Sequence, residues 1–291
     1  MQRAARSGVS LMMTQSGDTR QPAPAKDASQ RQPLPDVPID AAWFASQDCR
    51  NCGVPRTAAY CGVCGQKAAA RLVWRDAWRE TWDRLRYFES SSAKTLAKLI
   101  LSPGRVAREY VLGRRASHMH PLKLLVALVA ALLIVLAANR YFHVYDFSGR
   151  SGDVDRMASR VLAYGNWSFS LGIVAIFAAA RAAFGRRLGY NAIELGVLAV
   201  YCQNLILAVI IVNLLPTLIW SDPGFVLWHK TASQYYLYAI KLVIVATAYC
   251  QFFLLDPRRD WLRLLAACLI YVGLSWLLLR AYALAIFWLV R

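Results

Sequence analysis

Hydrophobicity along the chain is strongly uneven. The first 40 residues are rich in Gln, Ser, Pro and Ala, carry charges of both signs and show no apolar period. Such a stretch cannot bury enough surface to offset its chain entropy, and residues 1–40 read as a disordered tail. Beyond residue 120 the pattern inverts. Five mostly apolar runs follow, at about 121–141, 167–184, 193–215, 235–255 and 263–290. A helix needs about 20 such residues to cross a bilayer, so each run is a candidate span. The last contains Arg280, and either tilts or stops short with an interfacial tail. The expected fold class is therefore an all-α integral membrane protein of about five transmembrane helices. Residues 121–291 form its membrane domain.

Between tail and spans, residues 67–101 alternate with a helical period. Trp74, Trp78 and Trp82 recur every four residues, followed by Leu85 and Phe88, and charged side chains fill the other positions. This predicts an amphipathic juxtamembrane helix with an aromatic stripe. The stripe suits either the headgroup zone, with arginines against anionic lipid, or the surface of the chain's own membrane helices. Ser102-Pro103 is a helix start and Gly113 a helix stop. Residues 67–120 thus form a basic, aromatic juxtamembrane unit. His118 and His120 have no further metal ligand nearby in sequence and read as a solvated pair at the junction.

Charge sharpens this layout. The formal net charge is +17, and from Gly65 to Lys123 there are thirteen Lys/Arg against five Asp/Glu. About half of the excess sits just ahead of the first span. That placement favours the positive-inside effect and anionic lipid over nucleic acid. Further basic clusters lie between spans two and three (Arg181, Arg186, Arg187) and between spans four and five (Arg258, Arg259, Arg263). The expected topology in the inner membrane is N-terminus in the cytoplasm, C-terminus outside. The N-terminus has no sustained apolar core, so no secretory signal is expected.

Seven cysteines remain to be placed. Cys202, Cys250 and Cys268 stand alone in apolar runs and behave there as small hydrophobes. The other four form two C-x-x-C-G units, Cys49/Cys52 and Cys61/Cys64, eight residues apart. Four thiolates at this spacing suit a closed tetrahedral Zn²⁺ site of zinc-ribbon or zinc-knuckle type. Iron satisfies the same ligand set. A head this small, residues 41–66, has almost no apolar core, so metal binding would supply most of its folding free energy. Trp43-Phe44 can pack against it. Dithiol redox chemistry is the rival, but no thioredoxin-like context surrounds the pairs.

No Ser/His/Asp grouping, H-E-x-x-H or phosphate-cradling glycine loop is present, so no catalytic residue is assigned. The polar residues within the spans are Glu194, Gln203, Asn204, Asn213, Lys241 and Arg280. Glu194 and Lys241 read as snorkelling from span ends. Gln203, Asn204 and Asn213 read as interhelical hydrogen-bonding groups.

Several of these residues also recur as a signature. The run from Cys49 to Gln66 leads to Lys94-Thr95-Leu96, then Leu101-Ser102-Pro103-Gly104, then Arg108-Glu109-Tyr110-Val111-Leu112-Gly113-Arg114-Arg115, then a junction at Pro121. This resembles the bacterial membrane family known as domain of unknown function 3667. The resemblance covers about residues 47–135 and departs at Ser117-His118-Met119-His120, where an aromatic is expected before the proline. It implies a bacterial inner-membrane protein with a metal-binding head, and no activity. The expected role is a non-enzymatic, membrane-anchored interaction or sensor module. A cytoplasmic or membrane protein would be its partner, with anionic lipid at the Trp/Arg helix. The alternative is a transporter or lipid-handling protein with the head as a cap. A membrane thiol oxidoreductase ranks behind both.

Overall fold

A computed structural model of the chain describes residues 33–74, 92–138, 168–185, 187–220 and 222–290. Trp78, Trp82, Leu85, Phe88 and His143 lie outside the described residues, as do Arg186 and most of the tail. The described part is helical, with isolated bridges only in the head.

In chain order the helices are α1 (Ala41–Ala45), α2 (Ser92–Leu101), α3 (Pro103–Val111), α4 (Pro121–Ala138), α5 (Ser168–Phe184), α6 (Ala192–Leu214), α7 (Pro216–Ile219), α8 (Pro223–Phe253) and α9 (Trp261–Val290). Among the described residues α4, α6, α8 and α9 are long and apolar enough to cross a membrane. The expected second span is the shorter apolar helix α5, with 17 residues. The chain is thus a multipass membrane protein. The lipid-facing surface is apolar: Val126, Ile134, Val243 and Leu269 all stand exposed. In water a surface of that kind would drive aggregation. In a bilayer it is the solvated one.

Helix ends follow local chemistry. Asn191 and Glu194 form a full capping box at the start of α6, with Asn191 Oδ1 accepting from the Glu194 amide and the Glu194 carboxylate accepting from the Asn191 amide. Asp222 caps α8 by accepting from the Phe225 amide. Helix α8 runs to a left-handed Leu254 at φ 51°. Helix α9 is continuous through Arg280, whose guanidinium stacks 4.8 Å from the Trp276 ring.

Packing places α6 at the centre, against α4, α5 and α8, while α9 closes on α5. The short helix α3 is wedged against one end of α6 and α8. Its Val106, Ala107, Tyr110 and Val111 are almost wholly buried. Gly104 allows the contact: a Cβ there would lie 2.1 Å from the Ala248 carbonyl oxygen of α8. The Gln251 side chain then accepts from the Gly104 amide at 3.0 Å, capping α3 from the neighbouring helix. Pro103 opens α3 and Gly113, at φ 102°, follows its end, as the sequence predicts.

Four expectations need correction. Residues 33–40 of the expected tail pack against the bundle, because Ile39 is buried and its amide donates to Leu188 O while Arg108 takes the Pro35 carbonyl. Residues 67–73 are not helical, because the side chains of Arg115 and Asn191 take the Ala70 and Leu72 carbonyls. Lys241 lies in the middle of α8, far from either end. Glu194 is fully buried, where no side chain can snorkel.

Candidate metal centre

The head consists of two copies of one turn. In the first, the Cys49 amide donates to Val54 O, Gly53 N to Cys49 O and Arg56 N to Gln47 O. Each bond recurs twelve positions on, as Cys61 to Gln66, Gly65 to Cys61 and Ala68 to Ala59. Gly53 and Gly65 both have positive φ, 77° and 66°, which is why glycine follows each C-x-x-C. The turn folds each pair of cysteines inward, and α1 packs beside them.

The two turns bring all four thiols together. The sulfurs of Cys49, Cys52, Cys61 and Cys64 lie within 4.8 Å of one another. Cys49 Sγ is 3.5 Å from Cys64 Sγ, and Cys52 Sγ is 3.5 Å from Cys61 Sγ. These distances exclude disulfides, which need about 2.05 Å. They bracket the roughly 3.8 Å edge of a tetrahedron with metal–sulfur bonds of about 2.3 Å. The cluster can hold a metal ion. With no ion between them the thiols differ in acidity. Burial first, then neighbouring thiols, pushes the Cys52 thiol up to about 12. At Cys61 burial also opposes ionisation, but the amides of Cys64 and Val63 overcome it and bring the thiol to about 7. All four could be thiolates together only with a cation between them.

The head is bolted to the bundle by side chains near the cysteines. Gln66 donates to Gly113 O at 2.6 Å and accepts from the Ala116 amide at 3.0 Å. Trp43 Nε1 donates to Leu112 O at 3.1 Å, with the Arg50 guanidinium 3.8 Å above its ring. Ser117 Oγ donates to Asn51 Oδ1. Arg71 pairs with the buried Glu194 carboxylate at 3.2 Å, joining the chain after the head to the start of α6. An unpaired carboxylate there would be strongly destabilising.

Beneath the head, α3 carries the rest of the signature. Arg108 donates to the Tyr190 hydroxyl at 3.3 Å, and Tyr190 stacks on Phe252. Burial pushes the Tyr190 phenol up to about 12. Tyr110 sits edge-on to both Tyr201 and His120. Glu109 receives His118 Nε2 at 2.8 Å and lies beside Arg105 and Arg114. Burial works to raise the Glu109 carboxyl, but His118, Arg105 and Arg114 outweigh it and hold it at about 2. His118 and His120 are therefore buried, the reverse of a solvated pair, because α3 and the chain after it close over them.

The intramembrane polar residues sort into separate jobs. Asn204 Nδ2 donates to Pro121 O at 2.9 Å, tying α6 to α4, as an interhelical group should. Glu194 serves the cap and Arg71, and Arg280 serves Trp276. Gln203, Asn213 and Lys241 line one cavity within the bundle. Cys202 is fully buried, and Cys250 and Cys268 are partly buried, none near the cluster. What reading along the chain missed is the docking role of Gln66, Arg71, Gly104, Glu109 and Tyr110. Four of these five belong to the Cys49–Gln66 and Arg108–Arg115 runs or to Pro103-Gly104, so the signature marks the joint between head and membrane domain.

Comparison with known families covers only the membrane-domain side of that joint. A family model described as "Protein of unknown function (DUF3667)" matches residues 93–133. The matched segment is α2, α3 and most of α4, and it carries the resemblance the motifs pointed to. The paired cysteines and the later spans lie outside it. No curated protein and no solved structure matches the chain.

Proposed function

We propose that this is a bacterial inner-membrane protein whose head holds one structural Zn²⁺ on Cys49, Cys52, Cys61 and Cys64, facing the cytoplasm, and acts as a non-enzymatic interaction or sensor module. The carrying observation is the closed four-sulfur cluster joined rigidly to the bundle. A site with no open position suits structure rather than catalysis. The cytoplasmic side is supported by the arginines of the connecting segments, Arg105 and Arg108 in α3, Arg187 before α6, and Arg258 and Arg259 before α9. A reducing compartment also keeps the thiols available for metal. On the second knuckle Tyr60 stands 60% exposed, with Val63 three positions on also exposed, and these two form the partner-facing edge. Trp74, 73% exposed, begins the Trp/Arg segment proposed to meet anionic lipid.

The test is metal content of the full chain in mild detergent, with cross-linking in membranes for wild type and Tyr60→Ala/Val63→Asp. The expected results are about one zinc per chain and a partner lost in the double variant. A metal-free chain with reactive paired thiols would sink the zinc head, and an unchanged partner set would sink the interaction edge. The transporter reading keeps one observation of its own, the polar cavity.

A further inference from the structure

The cavity lies between the bundle helices, away from the head, is partly open, and has a volume of about 360 Å³. All five apolar helices contribute to its wall: Leu132 from α4, Gly172 from α5, Gln203 and Asn213 from α6, Lys241 from α8 and Tyr271 from α9. A volume of this size holds about a dozen water-sized groups and falls within the range of small-ligand sites.

Its chemistry is one-sided. Lys241 has no carboxylate partner among the described residues, and its ammonium lies 5.3 Å from the Tyr238 ring. Gln203 is only 4% exposed, yet its side chain makes no hydrogen bond to the described residues. Its carbonyl oxygen is the atom nearest Gly172, where a Cβ would meet it at 2.5 Å. Gln203 also lines the cavity, and its amide N–H groups have no acceptor among the described residues. Asn213 Oδ1 already accepts from the Tyr236 hydroxyl, which leaves its amide N–H groups as donors. A cation and two amide donors thus share one low-dielectric space with no carboxylate on its wall. An intramembrane cation is costly unless a counter-charge or water reaches it, and such residues mark ligand or ion paths.

We propose that this cavity binds a small anion bearing a carboxylate or phosphate group, with the Lys241 ammonium as counter-charge and the Gln203 and Asn213 amides as orienting donors. Glycine at 172 is required so that Gln203 can reach its place. The inference is independent of what the head does, since no residue of the head touches the cavity wall.

The experiment uses the full chain in non-ionic detergent micelles, at constant ionic strength set by a bulky sulfonate buffer. Thermal unfolding is followed while sodium acetate, inorganic phosphate or dihexanoylphosphatidylglycerol is titrated in. A ligand bound only by the folded state raises the melting temperature saturably. The expected result is a saturable rise in wild type, kept in Lys241→Arg and Arg280→Gln, with at least tenfold weaker apparent affinity in Lys241→Met. Saturation by acetate or phosphate identifies a soluble anion, and saturation by the phospholipid alone identifies a headgroup. Absence of a saturable rise with all three probes, or equal affinity in Lys241→Met, overturns the proposal. Should Lys241→Met fail to fold, Gln203→Leu carries the same comparison, with severalfold weakening expected and equal affinity refuting.

Discussion

Replacing Gly104 by alanine tests the joint between head and membrane domain most directly. A methyl at this position meets the Ala248 carbonyl oxygen at 2.1 Å, and Gln251 Cβ and Phe252 N at 2.8 Å. Two of these three atoms are backbone of α8, which cannot rotate aside. An ordinary contact needs about 3.4 Å, so α3 must move away from α8 by roughly 1 Å. Overpacking of this kind costs about 1–3 kcal/mol. The same movement breaks the bonds from the Gly104 and Arg105 amides to Gln251, at about 1 kcal/mol each. Against this, removing a helical glycine returns about 0.5–1 kcal/mol. The net loss is about 2–4 kcal/mol, all of it at the α3–α8 contact. Amide hydrogen exchange over residues 104–112 is the assay, because it reads local opening rather than global unfolding. A loss near 3 kcal/mol corresponds to roughly a hundredfold faster exchange. Gly196→Ala is the control, since nothing lies within 4 Å of its added methyl, and it should be neutral or slightly stabilising. If Gly104→Ala leaves exchange in α3 unchanged, the close docking of α3 on α8 is wrong.

Three further outcomes follow from the same contacts. Serine at any one of Cys49, Cys52, Cys61 or Cys64 should lower bound metal severalfold and speed exchange in the head, whereas serine at Cys202, Cys250 or Cys268 should leave metal content unchanged. Arg71→Ala should destabilise more than Glu194→Gln, by about 1–3 kcal/mol, because the first strands a buried carboxylate while the second keeps the capping box and removes the charge; comparison of melting temperatures decides, and the reverse order refutes the pairing. The Glu109 carboxyl is held at about 2 on folding, below its ordinary 4.5. Its stabilisation is therefore fully present above about 4.5 and lost as pH falls towards 2. It is worth about 1–2 kcal/mol after solvent screening. The melting-temperature gap between wild type and Glu109→Gln should shrink as pH drops from 5 to 3, and a gap that widens would refute the His118 and arginine cradle.

Features that depend on neighbours along the chain are legible in the amino-acid sequence alone. Apolar runs long enough for a bilayer mark the helices, because the bilayer imposes a length. The C-x-x-C-G repeat marks the turns, because bringing four thiols together imposes a spacing and the turn requires glycine. Ser102-Pro103 and Gly113 bound α3 for local backbone reasons. Tertiary structure decided everything that depends on what faces what. Glu194 near the start of a span and Lys241 within one look alike as charged residues in apolar sequence, yet one is buried on a cap and an arginine while the other borders a cavity. His118 and His120 follow a basic, polar stretch and still end buried, because α3 closes over them. Gly104 carries no local signal for its role, since the atoms that demand a missing Cβ belong to Ala248, Gln251 and Phe252, more than 140 residues away along the chain.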